Sequence, residues 1–237
     1  MIGIIGAMAE ELAAVTALVD AHEVIELGGR RYHRGRDAVC VVSRIGKVAA
    51  ATTTAILIER FAPRAIVMTG VAGAVDPRLA IGDVVVADQL IQHDLDARPL
   101  FPRHEIPLLG TAVLSTDRAL SDQLAAAVAT IAPPSWLPAP RLWRGLVASG
   151  DQFFSSADAT DALRALLPEA LAVEMEGAAV AQVCHEHGVP FAIARVISDT
   201  ANHAAAGDFT RFITDACGPY ARALVAAVLT SSPRTSA

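Results

Sequence analysis

The stretch Ala172-Val173-Glu174-Met175-Glu176-Gly177-Ala178-Ala179 decides how this chain is read. An apolar run, Leu171–Glu174, ends in carboxylates, and small helix-compatible residues follow at once. The same order recurs on either side. Downstream, the apolar run Phe191–Ser198 ends in Ser198-Asp199; at the start, Ile2–Ile5 passes through Gly6-Ala7-Met8 into Glu10-Glu11. Runs rich in Val and Ile, apolar on both faces, alternate with helical ones, the pattern of a sheet covered by helices. In an open α/β sheet ligands bind at the carboxyl ends of the strands, so acids at three strand ends predict a pocket there. Such acids suit sugar hydroxyls, a leaving group that needs a proton and a water that must lose one.

Strands are expected at 2–5, 24–27, 32–36, 39–43, 65–70, 83–91, 142–149, 171–174 and 191–198. Helices are expected at 10–20, 47–61, 117–131, 157–166, 177–187 and 209–229. Ser115 and Thr116, and Ser155 and Ser156, stand where helix caps belong. The runs 30–36 and 38–43 read as a hairpin about Asp37, so the sheet is mixed rather than wholly parallel. Asp96 to Pro107, with Pro99 and Pro102, reads as a long irregular loop of the kind that often carries function. Pro133 to Pro140 reads as a surface connector, and Thr230 to Ala237 as a disordered tail. No repeat or linker divides the chain, and one domain over 1–229 is the economical reading.

With 237 residues, 53% of them apolar, the chain can bury one sizeable core. Its net charge of −6 and lack of a basic patch argue against nucleic acid as a partner. No apolar run is long enough for a membrane span, and no secretory signal is visible. Three scattered cysteines, Cys40, Cys184 and Cys217, suit reduced thiols and a cytoplasmic setting. Cys184-His185-Glu186-His187 reads as the last turn of a helix rather than a metal site, since no second ligand pair at zinc spacing accompanies it.

Several motifs invite two readings. Gly3 and Gly6 lack the third glycine of a dinucleotide fingerprint, and Glu10-Glu11 would repel a pyrophosphate. A helix macrodipole accounts for one of those two acids. Thr69-Gly70-Val71-Ala72-Gly73-Ala74 is either a tight turn or a backbone wall that a ligand approaches closely. Ser149-Gly150-Asp151-Gln152-Phe153-Phe154 places two aromatics at a strand end in a chain only 5% aromatic. Core packing accounts for one of them, and base stacking for the other. Glu174 and Glu176 share a face only if the strand persists to Glu176; otherwise one caps the following helix. Arg195, Ile197 and Asp199 fall on one strand face, where Arg195 balances the local acids.

Taken together, I-G-I-I-G-A-M-A-E-E (2–11), I-G-K-V-A-A (45–50), T-G-V-A-G (69–73), S-G-D-Q-F (149–153), V-E-M-E-G (173–177) and R-V-I-S-D (195–199) followed by Phe209 resemble the 5′-methylthioadenosine/S-adenosylhomocysteine nucleosidases, within the nucleoside phosphorylase superfamily. The resemblance runs from Ile2 to about Leu229. It implies a three-layer α/β/α sandwich around a central mixed sheet, a homodimer, and no metal or cofactor. It implies that Glu11 is the general base that activates water and Asp199 the acid that protonates adenine N7. Glu176 would hold the ribose hydroxyls beside the backbone of Met175. Phe153 would stack on adenine, and the backbone of Phe154 would read its Watson–Crick edge. Met8, Ile45, Ala72, Gly73, Ser198 and Phe209 fall at pocket-wall positions, and the loop around His93–Pro107 where the family reaches the partner's pocket.

Val71 departs from the serine that many members carry. Phosphorylase relatives use a serine there, and an arginine in the first loop, to bind phosphate. The acids Glu10 and Glu11 occupy that first loop here, which favours hydrolysis. The alternatives are a purine nucleoside phosphorylase and a non-catalytic nucleoside-binding protein. 5′-Deoxyadenosine and 6-amino-6-deoxyfutalosine remain compatible with the motifs as further substrates.

Overall fold

In the computed structural model, which describes residues 1–230, ten strands form one mixed sheet. The elements run β1 (Ile2–Gly6), α1 (Ala9–Val19), β2 (Glu23–Leu27), β3 (Arg30–Arg34), β4 (Ala38–Val42), α2 (Lys47–Phe61), β5 (Ala65–Ala74) and β6 (Val84–Gln92). Then follow β7 (Val113–Ser115), α3 (Arg118–Ala127), β8 (Leu142–Ser149), α4 (Ala157–Leu166), β9 (Ala170–Glu174), α5 (Gly177–Glu186), β10 (Phe191–Asp199), α6 (Ala205–Asp215) and α7 (Cys217–Thr230).

Alternation along the strands builds the three layers. Ile2, Ile4 and Val67 face one way and pack with Leu12 and Val15 of α1, Leu124 of α3, Phe212 of α6 and Leu224 of α7. Ile5, Ile66 and Met68 face the other way and meet Leu57 of α2 and Val180 of α5. Period-2 side chains with apolar residues on both faces require helices on both sides. A third cluster seats Leu163 of α4 against Leu146 and Ala148 of β8.

The sheet order is β10-β6-β8-β9-β5-β1-β4-β3-β2, and β10 also pairs with β5. Strands β5, β9, β8, β6 and β10 therefore close on themselves. This changes how the acids are delivered. β10 runs parallel to β5, but β9 runs antiparallel to it, with Gly73 opposite Val173. The strand ends thus do not share one open edge; β9 brings Glu174 in from the opposite direction, across the closure. The hairpin about Asp37 is present, with Tyr32 opposite Val41.

Other expectations change. Strand β5 runs on to Ala74, so Thr69–Ala74 is extended strand and not a turn. The single helix expected at 209–229 is two, α6 and α7, bent by 61°. Pro219 is the cause: its ring fits the first turn of α7 but obstructs the carbonyl four residues earlier, at Asp215, where α6 ends. α3 stops at Ala127 and tightens into a 3-10 turn, Val128–Thr130. Its cap is Asp117, which accepts from the Leu120 N–H, rather than Ser115 or Thr116. Ser156 stands at the N-cap of α4 without a side-chain cap bond. The short β7 was not expected. Beyond Thr230, the tail expected to be disordered lies outside the described residues. Among the described residues, no single helix is long and apolar enough to cross a membrane.

Candidate active site

The turn from β1 into α1 builds the first acid. The N–H groups of Ala7 and Met8 both donate to Glu11 Oε2, at 2.6 and 3.0 Å, and Val71 N–H donates to Oε1 at 3.3 Å. These are donors a helix N-terminus leaves without a backbone partner, plus one from β5. Glu10 is exposed and Glu11 buried, so the macrodipole reading fits Glu10 alone. Burial raises the Glu11 pKa, against the pull of Arg195 and the three N–H donors. At Gly70 any side chain would run into the Glu11 carboxylate and the Arg195 guanidinium. Close approach, not a turn, explains that glycine.

The pair on β9 and α5 divides its labour. The strand ends at Glu174, and Glu176 is the N-cap of α5. Glu174 accepts from the N–H groups of Glu176 and Gly177, from the Ser149 hydroxyl and from Arg195 Nη2. It therefore caps the helix and anchors the arginine. Glu176 accepts from Gly46 N–H at 2.9 Å, and its Oε2 lies 3.4 Å from Arg195 Nη2. Burial first, then the Glu174 charge, pushes its pKa up to about 7, against Arg195 and the Gly46 N–H. Although the strand does not persist to Glu176, both carboxylates line one cleft. The fully buried Arg195 ties both to itself, as its place among the acids suggested.

Asp199 ends β10. Ala201 N–H donates to Oδ1 at 2.9 Å and the Ser198 hydroxyl to Oδ2 at 2.8 Å. Both donors are neutral, and burial raises the Asp199 pKa, with the Asp208 charge adding to it. A register shift between Ile197 and Asp199 breaks the alternation expected from Arg195 onward. Arg195 faces Glu174 and Glu176, and Asp199 turns toward Gly73, where a Cβ would come within 3.0 Å of its Oδ1.

The four acids Glu11, Glu174, Glu176 and Asp199 line one cleft that opens to solvent at its mouth. Phe153, 44% exposed, stands edge-on to Phe209 with ring centroids 5.7 Å apart. Phe154 is buried edge-on against His93, which is the core-packing role foreseen for one of the two rings. Met8, Ile45, Ala72, Gly73, Met175 and Ser198 line the same cleft. Ser149 and Gly46, donors to the two glutamates, were not foreseen in those roles, although both lie within quoted motifs. The loop after β6 stays off this cleft: Leu100 and Leu108 are 83% and 93% exposed. Cys184 is buried in the core, with its thiol pushed up to about 12, and His187 faces Glu59 at 3.5 Å. Among the described residues, no group of three or more His, Cys, Asp or Glu is arranged to hold a metal ion.

The family model for the phosphorylase superfamily matches residues 1–232. A curated relative, the 5′-methylthioadenosine/S-adenosylhomocysteine nucleosidase of Tolumonas auensis, is 36% identical over 217 residues, covering 90% of this chain and 91% of the relative. The crystal structure of the Neisseria meningitidis enzyme of the same name, in complex with methylthio-immucillin-A, superposes with a TM-score of 0.88 at 31% identity, covering 97% of this chain and 98% of that one. The futalosine hydrolase of Helicobacter pylori superposes with a TM-score of 0.84 at 36% identity, covering 96% of both chains. The chain belongs to the phosphorylase superfamily and, within it, to the 5′-methylthioadenosine/S-adenosylhomocysteine nucleosidases.

Proposed function

We propose that this protein hydrolyses the N-glycosidic bond of 5′-methylthioadenosine and S-adenosylhomocysteine and releases adenine. One observation carries the assignment of roles: two buried acids line the same cleft, Glu11 in the field of a guanidinium and Asp199, among the described residues, without a cation beside it. At Glu11 burial raises the pKa, and the field of Arg195 with three backbone N–H donors opposes it and favours an anion. At Asp199 no described residue supplies a cation: burial and the Asp208 charge favour its protonated form, and the Ala201 N–H and Ser198 hydroxyl oppose this.

In this reading Asp199 gives its proton to adenine N7 as the C1′–N9 bond breaks, so the base leaves neutral. C1′ gains oxocarbenium character, which the carboxylates of Glu11 and Glu176 stabilise. Glu176 accepts from the ribose hydroxyls. Glu11 takes one proton from water while the water oxygen bonds to C1′, giving the free sugar. The division into acid and base parallels glycoside hydrolysis, with a nitrogen leaving group. Phe153 stacks on the base, and the backbone of Phe154 reads its Watson–Crick edge.

Val71 and the first-turn acids offer a phosphate dianion neither hydroxyl nor guanidinium, so phosphorolysis is disfavoured. A role in binding alone would not require an acid and a base in one cleft. 6-Amino-6-deoxyfutalosine and 5′-deoxyadenosine stay compatible with the motifs as further substrates, and the likeness to the futalosine hydrolase of Helicobacter pylori supports a futalosine-type substrate. The continuous sheet supports one domain over 1–229. The exposed Leu100, and Leu108 just after the loop around His93–Pro107, support a homodimer in which that loop lies at the neighbouring active site, and three free buried cysteines support a cytoplasmic setting.

Adenine release from methylthioadenosine by wild type and Asp199→Asn tests the reading. The wild type turns over; the variant binds the substrate but loses most turnover, because the isosteric amide cannot protonate N7. No adenine from the wild type, or full activity in a folded variant, overturns it.

A further inference from the structure

Two motif residues have no place in the mechanism above: Lys47, first residue of α2, and Asp151, two residues before Phe153. They meet in a closed ring of hydrogen bonds. Lys47 N–H donates to Asp151 Oδ1 at 2.8 Å, and Asp151 N–H donates to Asp94 Oδ2 at 2.9 Å. Lys47 Nζ closes the ring on Asp94 Oδ1 at 2.6 Å and reaches Gln92 Oε1 at 3.1 Å. The ring joins the start of α2, the end of β6 and the loop after β8.

Its output is the neighbouring peptide. Gly46 N–H, 2.9 Å from Glu176 Oε1, precedes Lys47 directly, and Gly46 holds a left-handed φ of 99°. A Cβ at Gly46 would lie 3.2 Å from Asp151 Oδ1, so the same aspartate limits this turn sterically. The bond from Lys47 N–H to Asp151 anchors the peptide on one side of Gly46, and the Asp151 carboxylate beside its Cα narrows the backbone angles that direct the Gly46 N–H. On the other side the ring holds the backbone that leads to Phe153 and Phe154.

We propose that Lys47, Asp94 and Asp151 form a positioning clasp that aims the Gly46 N–H at Glu176. The clasp touches no reacting atom. It is also a poor source of stability, because its side chains are partly exposed and such ion pairs contribute about 0–1 kcal/mol. Its effect falls on Glu176, which otherwise faces Glu174 from β9, Arg195 from β10 and Glu11 from α1. The proposal rests on the ribose-binding role of Glu176 given above.

The test uses Lys47→Met, which keeps the aliphatic stem, and Asp151→Ala, which removes the ring from the other side. Both are assayed on methylthioadenosine and on its 2′-deoxy analogue beside wild type. Misplacing the ribose anchor lowers kcat/KM on the ribose substrate by about a hundredfold. The loss on the 2′-deoxy substrate is much smaller, and the melting temperature moves by less than about 4 °C. A general structural defect would instead lower both substrates alike. Carbon-13 NMR titration of the Glu176 carboxyl gives a reading independent of turnover: without the aimed N–H, proton binding tightens by about tenfold. Equal losses on the two substrates, wild-type kinetics in the folded variants or an unmoved Glu176 titration overturn the clasp. An inert wild type sinks the functional reading instead, and the titration still judges the clasp.

Discussion

Replacing Arg195 with methionine probes the electrostatic centre of the molecule. The guanidinium is fully buried, bonded to Glu174 and 3.4 Å from Glu176. Unit charges at that separation interact by about 5 kcal/mol at an effective dielectric constant near 20. Removing one partner of a buried pair destabilises by about 3–5 kcal/mol, since the remaining charge stays buried. For a chain of this size each kcal/mol moves the melting temperature by about 2–4 °C, so Arg195→Met should melt about 6–20 °C lower at pH 8. The loss should depend on pH, in a definite direction. Glu176 ionises at about 7 in the fold against an ordinary 4.5, and Arg195 is one of the groups holding it down. A carboxyl raised in the folded state contributes stability that is fully present below its unfolded pKa and lost as pH rises through its folded pKa. Without Arg195 that folded pKa climbs further, and the buried acid takes up a proton instead of standing as an unpaired anion. The gap between variant and wild type should therefore be smaller near pH 5 than near pH 8. Thermal denaturation followed by circular dichroism at several pH values reads it. A gap of constant size, or none, would refute the placement of Arg195 as counterion to these acids.

The remaining predictions concern substrate. Glu176→Gln should weaken binding and turnover of ribose substrates while discriminating less on 2′-deoxy analogues. In the wild type, kcat/KM should rise through about pH 7 as Glu176 loses its proton, an acid limb absent from the variant and read from kcat/KM pH profiles. Phe153→Ala should raise the dissociation constant for adenine about tenfold, the lower end of the ~1–3 kcal/mol that base stacking contributes. Isothermal titration calorimetry reads this directly, and unchanged affinity would remove Phe153 from the base wall.

Much of the fold was legible because β1, β5 and β10 are short apolar runs rich in Val and Ile, buried on both faces and separated by helical segments. The closure was not, because it rests on the pairing of Gly73 and Ala74 with Val173 and Ala172, and small residues carry no partner signal. The α6–α7 break was legible at Pro219 but lay inside an otherwise helical composition. In the site, the acids stood out at strand ends. What distinguishes Glu174 from Glu176 did not: it depends on where β9 stops and on which N–H groups α5 exposes. Gly46 and Ser149 contribute single donors whose targets lie 130 and 25 residues away, and no local pattern encodes such distances.

The most direct test of the hydrolytic account is the identity of the sugar released from methylthioadenosine, with and without inorganic phosphate. Val71 and the buried acids offer no seat for a phosphate dianion, and Glu11 is placed to activate water. Free 5-methylthioribose should form at the same rate in both buffers. A sugar 1-phosphate as main product, with a rate that requires phosphate, would contradict the account and make the enzyme a phosphorylase.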